Sequence, residues 1–324
     1  MLKPYLYQSL LHRLRYKHLY LLVALGEHGN LHQAAETLAM SQPAASRMLR
    51  EVEQYLDCPL FERMARGMKP TSVGEEVIRF ARTTLGGLER CAENLTQWQR
   101  GGFGQLIIGT IMGAAPDWIA QSVAELKVRK PLLKIRIKGE TSDQLIELLE
   151  QGRIDFAIGR FSDLEQHNWL DFEALGNEQL LLVVRSGHAL AREERVTLAQ
   201  LATWPWVLQP ITSPARQLLE HEFEAAHVTA PLNTVECDSI FATLQLAQRS
   251  DAVTILSEPV LRDYLQAGLL VTLPLAIGRT LAPFGVLTRK GESVSPTGEE
   301  YLDILRRMSR EQRVRVAPPL AVAG

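Results

Sequence analysis

Asn30-Leu31-His32-Gln33-Ala34-Ala35-Glu36-Thr37-Leu38, then Ala39-Met40, then Ser41-Gln42-Pro43-Ala44-Ala45-Ser46-Arg47, is the stretch on which the fold turns. Asn30 can accept from the free N–H groups of a helix start, and Ala34, Ala35 and Leu38 give the helix it opens an apolar side. Ser41 repeats the signal for a third helix. Pro43 falls in that helix's first turn, where its missing N–H removes no bond. Only Ala39-Met40 separates the two helices, which is turn length, and the paired alanines let helix axes come close. Upstream, Tyr16 to about Glu27 carries Leu19, Leu22, Val23 and Leu25 as an apolar stripe, and Gly29 stops it. Downstream, Met48, Leu49, Val52 and Leu56 form the buried side of the third helix. The spacing predicts a helix-turn-helix whose third helix enters the major groove. Its early positions Gln42, Ala44, Ala45, Ser46 and Arg47 read as exposed. Gln reads adenine, Arg reads guanine or grips phosphate, and Ala touches a thymine methyl. A small helical bundle with a solvated polar face has the same spacing and stays open at this point.

After the third helix, Leu60-Phe61 is a core anchor. The Arg66-Gly67 turn between two short extended stretches forms a wing, with Arg63, Arg66 and Lys69 able to face phosphates; the plain alternative is a basic surface hairpin. From Thr71 to about Arg100 there is no proline, and Thr71 or Ser72 can cap a long helix. Val77, Ala81, Thr84, Leu88, Cys91, Leu95 and Trp98 alternate steps of four and three, a heptad seam able to dimerise. The alternative is an amphipathic helix packed on its own domain. Cys91 on this seam reads as a small apolar filler. Gly101-Gly102-Phe103-Gly104 then forms a hinge; no Gly-Lys-Ser/Thr follows, so it is not a phosphate loop.

The run from Asn30 to Arg47, with Leu60-Phe61-Glu62-Arg63 and Pro70-Thr71-Ser72-Val73-Gly74, closely resembles in order and spacing the winged helix-turn-helix of LysR-type transcriptional regulators. Two departures stand out. Asn30-Leu31-His32 replaces the Ser-Phe-Thr common in the family, and Met64-Ala65 replaces polar or glycine residues of the wing. Gln151-Gly152-Arg153-Ile154-Asp155-Phe156-Ala157-Ile158-Gly159 is similar to an element of LysR effector domains, which have a periplasmic-binding-protein-like fold. Asn30-Leu31 and Ser250–Ser257 also resemble the subgroup that includes galactose-binding-protein regulators.

The resemblance implies an α+β multi-domain chain. Residues 1–70 are the DNA-binding domain, 71–100 the linker and dimerisation helix, and 101–104 the hinge. Effector subdomain I is 105–178 plus 279–324, and subdomain II is 179–278. It implies operator contacts from Asn30, His32, Gln42, Pro43, Ala45, Ser46, Arg47 and Arg50, with Arg63, Arg66 and Lys69 of the wing. It implies a dimer through the linker helix, a tetramer through the effector domains, and RNA polymerase as partner if the chain activates. The alternation of strand-like and helix-like segments after residue 105 agrees, because it is the pattern of α/β units. These segments include strands at Leu106–Thr110, Lys134–Glu140, Asp155–Gly159, Leu180–Val184, Thr234–Cys237, Ala252–Ile255 and Phe284–Thr288. A helix opens near Pro116-Asp117 and another spans Ser142–Gln151.

Ligands of open α/β sheets bind at the carboxyl ends of strands. That rule selects Ile111, Met112 and Gly113; Thr141 and Ser142; Gln209, Thr212 and Ser213; and Asp238 and Ser239. Thr141 also matches a common ligand position of the family. Each hydroxyl here precedes a helix and could simply cap it. A sugar or a small aromatic or organic acid both remain open as effector, and no other cofactor is expected.

Composition restricts the alternatives. The 324 residues exceed one ordinary core. Lys and Arg number 35 against 37 Asp and Glu; the first hundred residues carry 13 against 10 and the remaining 224 carry 22 against 27, a modestly basic start on an acidic remainder. Cys58, Cys91 and Cys237 form no CxxC, so neither a zinc site nor a disulfide framework is expected, and sparse cysteine fits the cytoplasm. No apolar run reaches membrane-spanning length. Leu19–Leu25 runs into polar Glu27-His28, unlike a signal peptide. No Gly-x-Ser-x-Gly elbow, His-Glu-x-x-His or dinucleotide fingerprint points to an enzyme.

Overall fold

The computed structural model describes residues 10, 12–65, 67–99, 104–161, 169–278 and 281–316, without the side chains of 94, 97–99, 115 and 313–316. The chain divides into two compact units. Met1–Ile107, Leu132–Lys134 and Ile146–Asp155 form the first; Ile108–Pro131, Ile135–Leu145 and Phe156–Gly324 form the second.

In the first unit, α1 (Tyr16–His28) ends at Gly29, whose φ of 58° lets its N–H reach back to Leu25 O. The Asn30 side chain accepts from His32 N–H at 2.8 Å to open α2 (Leu31–Thr37). Ser41 Oγ accepts from Ala44 N–H at the start of α3 (Gln42–Leu56). Leu21, Leu22, Leu25, Leu49, Val52 and Leu60 close the core between these helices. Strands β1 (Phe61–Arg63) and β2 (Met68–Pro70) pair antiparallel as the wing, with Glu62 opposite Lys69. Glu53 on α3 holds the strand start, accepting from Leu60 N–H at 2.8 Å. Thr71 Oγ1 accepts from Gly74 N–H at 3.0 Å and opens α4 (Ser72–Gln99).

The seam on α4 differs from the sequence reading. Ala81 is fully buried and Val77 packs on the winged-helix core. Leu88 (44%) and Leu95 (56%) of the expected seam are exposed, as is Phe80 (50%), which lies outside it. A straight helix drifts about 20° per heptad from a 3.5-residue repeat, so the first turns of the stripe face this domain's own core. Cys91 is exposed, and the Trp98 side chain and the hinge residues 101–103 lie outside the described set.

In the second unit a five-stranded sheet runs in the order β4-β3-β5-β12-β6. The strands are β3 (Gln105–Thr110), β4 (Lys134–Gly139), β5 (Phe156–Arg160), β6 (Leu170–Gly176) and β12 (Phe284–Arg289). β3 and β5 are parallel, with Ile108 opposite Phe156, while β12 returns antiparallel to both β5 and β6. After β3 the chain makes a 3₁₀ turn (Met112–Ala114) and a π turn (Ala115–Ile119) before α5 (Ala120–Arg129). α6 (Ser142–Glu150) follows β4, and α11 (Pro296–Val316) follows β12. On α11, Tyr301 is fully buried and its hydroxyl pairs with Ser122 at 2.6 Å; burial pushes its pKa up to about 12.

A smaller antiparallel sheet, β10-β7-β11, joins Thr254–Ser257, Leu180–Arg185 and Leu270–Thr272. Beside it β8 (Trp206–Leu208) pairs parallel with β9 (Thr234–Glu236). Helices α7 (Leu198–Leu201), α8 (Pro214–Ala225), α9 (Ile240–Arg249) and α10 (Glu258–Gln266) pack around them. This is an N-terminal winged helix-turn-helix followed by a two-lobed α/β domain.

His188 lies buried in the second lobe. It accepts from Leu190 N–H on Nδ1 at 3.0 Å, so Nε2 carries the proton toward Asp251 O. Burial lowers its pKa below 6.5, outweighing the raising effect of Asp251. The unfolded chain therefore takes up the proton first, and stability falls as pH drops through about 6.5 toward the folded value. Burial lowers His18 in the same direction. Urea midpoints are expected to fall between pH 7.5 and 5, less steeply in His188→Gln; a variant slope equal to wild type removes His188 as a cause.

Candidate functional site

Two surfaces gather the residues singled out by sequence. The first lies on the winged helix. Asn30, Gln42, Pro43 and Ser46 line one open groove of about 400 Å³ with wing residue Arg63. Leu31, Met64 and Met68 complete its walls. Arg47, Arg50, His32 and Lys69 are exposed beside it. Arg50 Nε donates to Ser46 O at 3.2 Å, and His32 stands 3.3 Å from Glu36. Arg66 lies outside the described residues. Ala45 does not belong to this surface. It is 0% exposed in the core with Ala34 and Ala35, because small residues are what let α2 and α3 approach, and no thymine methyl can reach it.

The second surface is a cleft of about 490 Å³ in the second unit, within the size range of small-molecule sites. One wall comes from the carboxyl ends of β3 and β4: Ile111, Met112, Gly113, Thr141 and Ser142. The other comes from the segments after β8 and β9: Gln209, Thr212, Ser213 and Asp238. Ser239 is not in the lining; its hydroxyl accepts from Ala242 N–H as the cap of α9. Thr141 forms a reciprocal capping box, its hydroxyl donating to Gln144 Oε1 at 3.0 Å while Gln144 N–H donates back. Ser142 Oγ accepts from Arg160 N–H at 2.9 Å, and the Ser213 hydroxyl donates to Gln209 Oε1.

Arg160 and Glu178 form a largely buried ion pair in this cleft, at 11% and 8% side-chain exposure. Burial lowers the Arg160 pKa to about 10, so the guanidinium stays charged near neutrality. Arg160 Nε also donates to Ala282 O at 3.1 Å. Among the described residues no cluster of His, Cys, Asp or Glu is placed to hold a metal ion, and no helix is long and apolar enough to cross a membrane.

Residues 16–75 match the bacterial regulatory helix-turn-helix of the lysR family, and residues 99–310 match the LysR substrate binding domain. The chain belongs to the LysR family of transcriptional regulators. The transcriptional regulator GbpR of Azospirillum brasilense is 38% identical over 92% of this chain and 87% of its own length. The regulator GalR of Pseudomonas putida is 29% identical over 91% and 74%. Solved LysR-type structures share the fold: full-length CbnR complexed with its target DNA superposes with a TM-score of 0.54 at 22% identity, covering 91% of this chain and 99% of that one. As a LysR-family protein the chain is a DNA-binding transcriptional regulator with a small-molecule effector domain, and not an enzyme.

Sequence reasoning missed Arg160 and Glu178 in this LysR effector domain. Arg160 ends β5 one residue after Gly159, so the carboxyl-end rule that selected Thr141 also applies to it. Glu178 follows β6, a strand the periodicity did not reveal, and had no position to be read from.

Proposed function

We propose that this regulator reads its operator through the early residues of α3, grips phosphates with the wing, pairs through the outer face of α4, and takes its effector in the cleft between residues 105–178 plus 279–324 and residues 179–278. The observation that carries the reading is the groove that unites Gln42, Ser46 and Arg63 on one solvent face. A helix residue that reads bases and a wing residue that meets phosphate must lie on one surface to engage one duplex. The solved complex of CbnR with its target DNA has the same fold and supports this use of the domain. In the cleft, Thr212 and Asp238 on the second wall face the capped Thr141 and Ser142 of the first. Exposed Val128 (84%) and Ile137 (49%), with Leu232 (93%) and Phe241 (69%), support tetramer contacts through the effector domains. The reading places the protein in the cytoplasm, with RNA polymerase as partner where it activates.

Operator binding tests the reading. Arg47→Ala, Gln42→Ala and Ser46→Ala leave the core untouched, because all three side chains lie outside it. Arg47→Ala is expected to weaken binding to the gene's own upstream DNA by about 1–3 kcal/mol, a factor of roughly 5 to 150, with nonspecific binding less affected. Gel-shift titrations in which all three variants bind like wild type would remove α3 from the interface.

A further inference from the structure

The effector cleft carries a charge balance that selects among ligand classes. Among the described residues, its titratable lining is Glu140, Arg160, Glu178 and Asp238, three carboxylates and one cation. Glu140 and Asp238 are exposed at the rim, where solvent screens them. The buried charges are Arg160 and Glu178, and they neutralise each other. Glu178 also occupies space an incoming anion would need: a Cβ on Gly113 would stand 2.0 Å from Glu178 Oε1, so the carboxylate rests directly on that turn. A carboxylate effector would have to displace Glu178 from Arg160 or sit beside it, and removing one partner of a buried pair is costly.

The remaining polar lining is of one kind. Gln144, Gln209, Ser142, Thr212, Ser213 and Ser257 bear amides and hydroxyls, which both donate and accept. The Arg–Glu pair adds no net charge to this lining. A ligand hydroxyl also donates and accepts, whereas a carboxylate only accepts and an ammonium only donates. No aromatic ring lines the cleft among the described residues, so a planar aromatic acid would find neither a stacking partner nor an unpaired buried cation. We propose that the effector is an uncharged, hydroxyl-rich molecule of the monosaccharide or alditol class, and that Glu178, paired with Arg160, is the residue that excludes acids. This rests on the cleft being the effector site.

The test is a charge-matched series on the full-length protein by titration calorimetry. Glucose, glucuronate and glucosamine, and galactose, galacturonate and galactosamine, differ within each set mainly in charge. A panel of neutral aldoses and alditols, and benzoate as an aromatic acid, complete it. At least one neutral sugar or alditol is expected to bind, and any neutral aldose that binds should do so at least tenfold more tightly than its uronate and its amine. Glu178→Gln is expected to narrow the gap between neutral sugar and uronate at least tenfold. Tighter binding of a uronate or of benzoate to the wild type, no binding by any neutral member, or an unchanged gap in Glu178→Gln overturns the proposal. Met112→Trp separates the two levels of the argument. Met112 is 46% exposed and lines the cleft, so the larger ring fills the site without disturbing a core. Neutral-sugar binding that survives this variant places the ligand elsewhere and ends the reading of the cleft itself, while its loss together with the wild-type preference supports both.

Discussion

Full-length protein carrying Leu88→Asp and Leu95→Asp is expected to show at least a halving of assembly mass by sedimentation and a loss of operator affinity of a hundredfold or more. Both leucines are substantially exposed on α4, at 44% and 56%, and Phe80 continues the same outer face at 50%. Leu88 and Leu95 are seven residues apart, one heptad, with Cys91 between them and Thr84 one step before. Burying a leucine yields about 1.5–3 kcal/mol, so four leucines across a symmetric pair yield roughly 6–12 kcal/mol. The substitutions remove that sum and place like charges opposite each other without partners, which adds a penalty. A helix-turn-helix dimer engages two half-sites together, so separated chains retain one half-site each. Thermal unfolding monitored on the separated chains should remain cooperative, since neither leucine belongs to the winged-helix core. An unchanged sedimentation profile would mean that the outer face of α4 is not the pairing surface.

The sequence announced α4 more clearly than it announced which side of α4 is free. Thr71, the absence of proline and the repeat of apolar residues were enough for the helix. Only packing shows that Ala81 belongs to the interior while Phe80 does not. The same limit applies to Ala45. Its spacing from Leu49 and Val52, four and seven residues on, marks a buried stripe, yet its position early in α3 suggested a reading surface. Strands β8 and β11 are three residues each, too short for a period of two to register. β6 mixes Asp171 and Glu173 among its apolar residues because it is an edge of the sheet. The cleft walls were legible because the carboxyl-end rule is topological and needs only strand ends. The ion pair at its centre was not, because Arg160 and Glu178 meet through tertiary structure.

Gly86→Val is expected to lower the melting temperature by about 6 °C or more, while Gly87→Ala beside it should raise it by a few degrees. The two glycines are neighbours on α4 with opposite surroundings. A Cβ on Gly86 would lie 2.2 Å from Gln151 O and 3.0 Å from Gly152 Cα. Both are backbone atoms and cannot rotate away. Gly152 itself has φ of 64°, the left-handed region that glycine enters freely, and its own Cβ would stand 3.4 Å from Gly86 Cα. Three bonds hold the contact: Thr83 Oγ1 donates to Glu150 O at 2.9 Å, Arg79 Nε to Glu150 Oε1 at 3.1 Å, and the Arg90 guanidinium to Gly152 O. Valine at 86 forces the chain at 151–152 off the helix and weakens all three together; overpacking and lost bonds of this kind cost roughly 3 kcal/mol or more. At Gly87 the nearest atom to an added Cβ is Arg90 Nη2, 4.0 Å away on a flexible side chain. Alanine there therefore gains only helix propensity, about 1 kcal/mol. At roughly 2–4 °C per kcal/mol for a domain of this size, the two variants separate widely by calorimetry. Equal melting temperatures for both would show that α4 does not rest on the 150–152 segment through Gly86.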